Sequence, residues 1–227
     1  MGLPFPLDLY DTLGGEICRV GERMWRQGFC AGSDGNISAR LDDDLILITP
    51  SGVSKGHMRG DAMCVLRVAD GEIIHGRSPS SERAVHLAVY RTRQDVEAVI
   101  HSHAPKSTAW ACSGEKLPDA IHPEAELLLG RVPLVAYVTP GTGLLARQVA
   151  ATLTPNTTAM LLANHGTVTV GDSLESALAR LEMLEAYCRL VIELSLLGRM
   201  KRLSEGEMVD LLALKRDVWG LADDRTP

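Results

Sequence analysis

Leu13, Ile17, Val20 and Met24 recur at helical spacing and stop at Gly28, a residue suited to the left-handed position after a helix, which predicts a first helix over 7–27. The short apolar run LILIT (45–49) predicts a strand. AMCVLRV (62–68) and EIIH (72–75) flank the turn signal ADG and predict a hairpin, after which 81–93 suits a helix leading into the strand EAVIH, 97–101. A short helix follows Pro105. LVAYV (134–138) reads as a strand and TGLLARQVAATL (142–153) as a helix opened by Thr142, while TAMLLA (158–163) and TVTV (167–170) are strands on either side of NHG. The longest helix opens with Asp172 and Glu175 in an arrangement similar to a capping box. It carries an apolar stripe of Leu174, Ala177, Leu178, Leu181, Leu184, Cys188, Val191, Ile192 and Leu196.

Hairpins mixed with helices predict an α/β sandwich whose sheet is mixed and largely antiparallel rather than doubly wound and parallel. No repeat, low-complexity tract or Pro/Gly/Ser-rich linker divides the chain, so one domain over 1–227 is expected, with 221–227 as a frayed tail.

Composition narrows this. With 45% hydrophobic residues over 227, the chain can bury a full core, and disorder is not expected. A net charge of −6 argues against nucleic-acid binding, which calls for a basic stripe. No signal-peptide pattern or membrane-length apolar run appears, so a cytoplasmic protein is expected. Cys18, Cys30, Cys64, Cys112 and Cys188 are scattered without a CxxC pair, which predicts reduced and mostly buried thiols rather than a thiolate metal site.

The chain has only seven histidines, yet HSH ends the strand at 97–101. Because residues i and i+2 of a strand share a face, His101 and His103 project side by side, a chelating geometry. His165 in LLANHGTV is a candidate third ligand, placed at a strand end where Gly166 lets the backbone approach closely. Three imidazoles with an open position are a common way to hold catalytic zinc. Glu82 follows two serines at a predicted helix start. GSDGNIS (32–38), TPSGVSKG (49–56) and SPSSE (78–82) together suit an anion held by backbone N–H groups and hydroxyls. Taken singly, each has an ordinary alternative: solvated strand-end histidines, a carboxylate favoured by the helix dipole, serine N-caps and surface turns.

In the order GNIS, TPSG, SSE, HxH, NHG, these motifs resemble the class II aldolase/adducin family over about residues 10–200. The resemblance implies an α/β/α domain and a zinc, or another divalent ion such as Mn2+ or Co2+, held by His101, His103 and His165. It implies a phosphate cradle of Gly35, Asn36, Ser51, Gly52, Ser80 and Ser81, with Glu82 as catalytic acid/base. A ring-shaped homotetramer with interfacial active sites and a phosphorylated sugar as substrate are also implied, and neither nucleic acid nor membrane is an expected partner.

Within the family the aldolases resemble SSE, whereas the 4-epimerase carries Asp at the position of Glu82. The expected activity is therefore a metal-dependent aldolase releasing dihydroxyacetone phosphate and a small aldehyde from a ketose 1-phosphate, such as L-fuculose 1-phosphate or a 5-deoxypentulose 1-phosphate. The alternatives are a 4-epimerase, dehydratase or decarboxylase on phosphorylated sugars, or a metal-free adducin-like scaffold. One departure stands out: the fuculose-phosphate aldolase pattern has a tyrosine after IH as the distal proton donor, and this chain has Pro123, leaving His122 or Glu124 as candidates. His57, His75 and His86 lie outside the motifs, His86 reading as a helix neighbour of Glu82. Trp25, Trp110 and Trp219 read as core or interface residues.

Overall fold

The computed structural model describes residues 5–219, with the side chains of the last two outside the description. The expected tail at 221–227 and the Trp219 side chain thus lie outside the described residues. Seven α-helices and eight strands are present among the described residues. The helices are α1 (Leu7–Arg26), α2 (Arg83–Thr92), α3 (Pro105–Ser113), α4 (Pro123–Leu128), α5 (Gly143–Thr152), α6 (Leu174–Leu197) and α7 (Glu205–Trp219). The strands are β1 (Asn36–Arg40), β2 (Leu45–Ile48), β3 (Cys64–Arg67), β4 (Ile73–His75), β5 (Ala98–Ser102), β6 (Leu134–Val135), β7 (Ala159–Leu162) and β8 (Gly166–Gly171). They form one sheet in the order β4-β3-β2-β1-β5-β8-β7-β6. Every pairing is antiparallel except β6 with β7, so the sheet is mixed and largely antiparallel, as expected.

Strand periodicity explains the layering, because alternate residues face opposite sides. Ile37, Ala39, Leu47, Val65, Ala98 and Ile100 point to one face and pack beneath α1 and the first half of α6, against Ile17, Met24, Leu178 and Leu181. Ile46, Ile48, Leu66, Val99, Val168 and Val170 point to the other and meet α2 and α5 through Val85, Val89, Leu145 and Val149. A third cluster joins α3, α4 and the second half of α6 over β7. This is an α/β/α sandwich with a filled core on both faces.

Three expectations change in detail. The cap of α6 is a reciprocal pair between Ser173 and Ser176, not Asp172 and Glu175. Asp172 instead accepts from both serine hydroxyls. The strand expected over 134–138 pairs only at Leu134–Val135. Beyond it, Tyr137 is 57% exposed, so an apolar run on the sheet's edge finds no second layer to extend it. GSDGNIS, expected to hold an anion or form a surface turn, becomes strand from Asn36 onward, because Asn36 and Ser38 face buried polar partners rather than water. All five cysteines are free thiols, with Cys30, Cys64 and Cys188 buried. No helix of the described residues is long and apolar enough to cross a membrane.

Candidate metal centre and anion pocket

The antiparallel register does the assembling. Asn36 of β1 lies directly opposite His101 of β5, and β5 pairs on its other side with β8, which begins right after His165. His101 and Glu82, at the N-cap of α2, come to the same face of the sheet. The β7–β8 turn carries His165 back over the end of β5. Gly166 makes that approach possible, since a Cβ there would stand 2.5 Å from the Ser102 carbonyl oxygen and 2.6 Å from the His103 ring. Gly35 does the same before β1, with φ of +72° and only 2.9 Å between a notional Cβ and the His101 carbonyl oxygen.

Four side chains converge: Glu82, His101, His103 and His165 each present one ligand atom, all within 4.8 Å of one another. His101 Nε2 is 3.1 Å from His103 Nε2 and 2.8 Å from Glu82 Oε2, and His165 Nε2 is 3.2 Å from Glu82 Oε1. These separations match the ~3.3 Å expected between ligand atoms placed tetrahedrally about 2.0 Å from a zinc ion. The tautomers fit as well. His101 Nδ1 lies 2.9 Å from the Thr167 carbonyl oxygen, which can only accept, so Nδ1 carries the proton and the Nε2 lone pair faces the group. His103 Nδ1 faces Asp34 at 3.4 Å. Three imidazole nitrogens and a carboxylate oxygen converging this closely form a donor set that fits a divalent metal.

Burial works against charge on Glu82, but in the metal-free site the His101 and His165 rings, when protonated, outweigh it and hold the carboxyl far below the usual range. Burial pushes the His103 pKa down, as would any positive charge on His101 and His165, with Asp34 opposing. Both directions suit ligand forms, an ionised carboxylate and a neutral imidazole.

Beside this group lies a pocket of about 230 Å³ lined by Gly35, Asn36, Ser51, Gly52, Ser80, Ser81, Glu82 and His103 among others. The structure therefore brings together every residue singled out for the metal and the phosphate. The backbone N–H groups of Gly35, Gly52 and Ser81 find no protein acceptor among the described residues, as an anion cradle requires. Ser80 Oγ accepts from the Glu82 amide at 3.2 Å. Asn36 lines the pocket as expected, and its side chain also pairs within the protein. A carboxylate only accepts, so Asn36 Nδ2 faces Glu82 Oε2 at 3.4 Å and Oδ1 accepts from His86 Nε2 at 2.5 Å. His122 and Glu124, the candidate distal acids, sit 3.4 Å from each other at the start of α4 and do not line the pocket. A larger cleft of about 580 Å³ between α3, α4 and β6 holds none of the converging groups.

His86 was not singled out in the sequence beyond being a neighbour of Glu82, yet it is fully buried and central. With Nε2–H given to Asn36, its Nδ1 accepts from Ser38 Oγ at 2.6 Å, and Ser38 accepts from the Tyr90 hydroxyl at 2.9 Å. A continuous buried line thus runs from Tyr90 through Ser38, His86 and Asn36 to Glu82. Its signal in the sequence is a polar i, i+4, i+8 face on α2 (Glu82, His86, Tyr90) set against i, i+2 on β1 (Asn36, Ser38).

Burial, with His101 charge adding and Glu82 opposing, pushes the His86 pKa down to about 3. The unfolded chain takes up this proton near pH 6.5 while the fold does not, so stability from a neutral His86 is present above 6.5 and falls as pH drops toward 3. Urea unfolding at pH 7, 6 and 5 is expected to show the advantage of wild type over His86→Gln shrinking by about 1.4 kcal/mol per pH unit below 6.5. A constant difference would show that His86 is protonated in the fold.

The Class II Aldolase and Adducin N-terminal domain matches residues 15–192. The chain belongs to the class II aldolase/adducin family, and its assembled histidine and glutamate group sets it with the family's enzymes. It is 35% identical over 206 residues to 3-oxo-tetronate 4-phosphate decarboxylase of Escherichia coli K12, covering 88% of this chain and 95% of that one. It is 34% identical over 175 residues to L-fuculose phosphate aldolase of Methanococcus maripaludis, covering 77% and 92%. The crystal structure of Escherichia coli YgbL superposes with a TM-score of 0.83 at 33% identity, covering 89% of this chain and 98% of that one.

Proposed function

We propose that this chain is a metal-dependent lyase that removes CO2 from a phosphorylated 3-oxo acid of the 3-oxo-tetronate 4-phosphate kind. The observation that carries this reading is position 123. Aldol cleavage needs a group to exchange a proton with the leaving aldehyde's oxygen, and Pro123 carries none. A carboxylate leaves as CO2 without any such partner. The likeness to decarboxylases over nearly their whole length supports the same choice. The expectation of an aldolase from the SSE motif becomes the second reading, favoured by the likeness to L-fuculose phosphate aldolase.

His101, His103 and His165 hold the metal, with zinc favoured by three imidazoles. When bound, it supplies Lewis-acid withdrawal of electron density at the substrate's carbonyl and hydroxyl oxygens. The amides of Gly35, Gly52 and Ser81 and the hydroxyls of Ser51, Ser80 and Ser81 hold the phosphate and fix the distance from it to the reacting carbons. The C1–C2 bond breaks, its electron pair passes toward the C3 carbonyl, and CO2 departs. Glu82 then delivers a solvent proton to C2, giving dihydroxyacetone phosphate. The line from Tyr90 to Asn36 holds the Glu82 carboxylate in place. In this reading the enzyme is a cytoplasmic homotetramer of single-domain subunits, as the family likeness implies.

Aldolase and decarboxylase share the product, so the test must count both fragments. The metal-loaded protein is incubated with 3-oxo-tetronate 4-phosphate and, separately, with L-fuculose 1-phosphate, while dihydroxyacetone phosphate and CO2 are measured by independent coupled assays. Equimolar release of the two from the 3-oxo acid is expected, at a kcat/KM at least about 100-fold above that on the ketose phosphate, a gap of about 2.7 kcal/mol. Dihydroxyacetone phosphate from L-fuculose 1-phosphate alone would make the protein an aldolase. No product from either would sink both readings.

A further inference from the structure

The anion pocket has Asp34 and Glu82 in its lining and no lysine or arginine among its described lining residues. A dianionic phosphate seated there meets two carboxylates. A cation nevertheless lies directly behind the lining. Lys55 is 1% exposed, and its Nζ donates to the Ser33 carbonyl oxygen at 3.0 Å and to the Val53 carbonyl oxygen at 2.6 Å. Ser33 opens one loop of the pocket and Val53 follows Ser51 and Gly52 in the other, so one ammonium ties the two loops together.

The placement is built in. α1 passes so close that a Cβ at Gly21 would stand 2.8 Å from the Lys55 carbonyl oxygen and 3.4 Å from its Cβ, and this packing shuts the stem off from water. Burial lowers the Lys55 pKa, while Cys30 and Asp34 oppose the shift. Burying an ammonium is costly, and two carbonyl bonds could equally be made by a neutral donor. What a neutral donor lacks is charge.

Building on the phosphate-cradle reading above, we infer that Lys55 is the cationic floor of the cradle, a positioning residue that holds both loops and offsets the phosphate's charge from behind. A charge in a water-poor setting acts through several ångströms of protein, so contact with the ligand is unnecessary.

The test is calorimetric titration of the metal-loaded full chain at pH 8 with inorganic phosphate, a dianion, and with hypophosphite, a small tetrahedral monoanion. Wild type and Lys55→Gln, which keeps an N–H donor but no charge, are compared, with metal content and Tm measured for each. Phosphate affinity is expected to fall about tenfold or more in the variant, hypophosphite affinity markedly less, with metal content unchanged. If Lys55→Gln fails to fold, Lys55→Met, which keeps the apolar stem, carries the same comparison. Unchanged phosphate affinity, or an equal loss for both anions, would overturn the inference, the second by assigning the effect to loop shape. Wild type that binds no phosphate would overturn the cradle reading itself, and that failure shows before any variant is compared.

Discussion

His101→Ala is expected to yield a folded protein that no longer holds a stoichiometric divalent metal and has lost about 10³-fold or more of its turnover, the scale of several kcal/mol of Lewis-acid stabilisation. Of the three histidines, His101 is the one whose loss undoes the most. It is 1% exposed, its Nδ1 is anchored on the Thr167 carbonyl, and its Nε2 lies within 3.1 Å of both His103 Nε2 and Glu82 Oε2. Removing it leaves the other two imidazoles and the carboxylate without the member that touches both sides of the group. Metal analysis after dialysis, beside unfolding curves that verify the fold, is the check. An alanine variant that retains one metal per chain and normal turnover would show that the four groups converge for another reason. Chelator treatment of wild type is expected to reproduce the loss, and added metal to reverse it.

Glu82→Gln is expected to lower kcat by about 10²–10⁴-fold, the usual contribution of a positioned acid/base, while metal content stays near that of wild type. Glutamine keeps the shape and can still accept from Asn36, but it cannot carry a proton to carbon. A partial reaction isolates this role. Wild type is expected to exchange a carbon-bound hydrogen of dihydroxyacetone phosphate with D2O, and the variant to lose that exchange to the same extent. The readout does not depend on whether the physiological leaving group is CO2 or an aldehyde. Exchange at the wild-type rate in Glu82→Gln would move the proton-transfer role elsewhere and leave Glu82 as a ligand alone.

The two variants also show how differently the parts of this site could be read. His101, His103 and His165 were legible because a period of two on a strand end and a glycine after a histidine are local facts, and the structure places all three in one group. The serine and glycine loops were legible for the same reason. Asn36 lines the pocket that the loop motifs point to, but only the pairing of β1 with β5 and the packing of α2 reveal that its amide also serves His86 and Glu82. Pro123 was visible at once, but its weight between aldolase and decarboxylase emerged only beside the relatives.

By itself the sequence determined the alternating pattern that makes a largely antiparallel sheet with helices, the ligand types, and the small residues that let the backbone come close at Gly35 and Gly166. These are properties of residues a few positions apart, where dihedral preference and periodicity act directly. What only the tertiary structure decided is which distant groups share a dry space. Tyr90, Ser38, His86 and Asn36 form one line, and Lys55 closes two loops from behind, because sheet register and helix packing exclude water from them. A buried polar group must then find its partner wherever the fold has put one, and no local pattern in the chain records where that is.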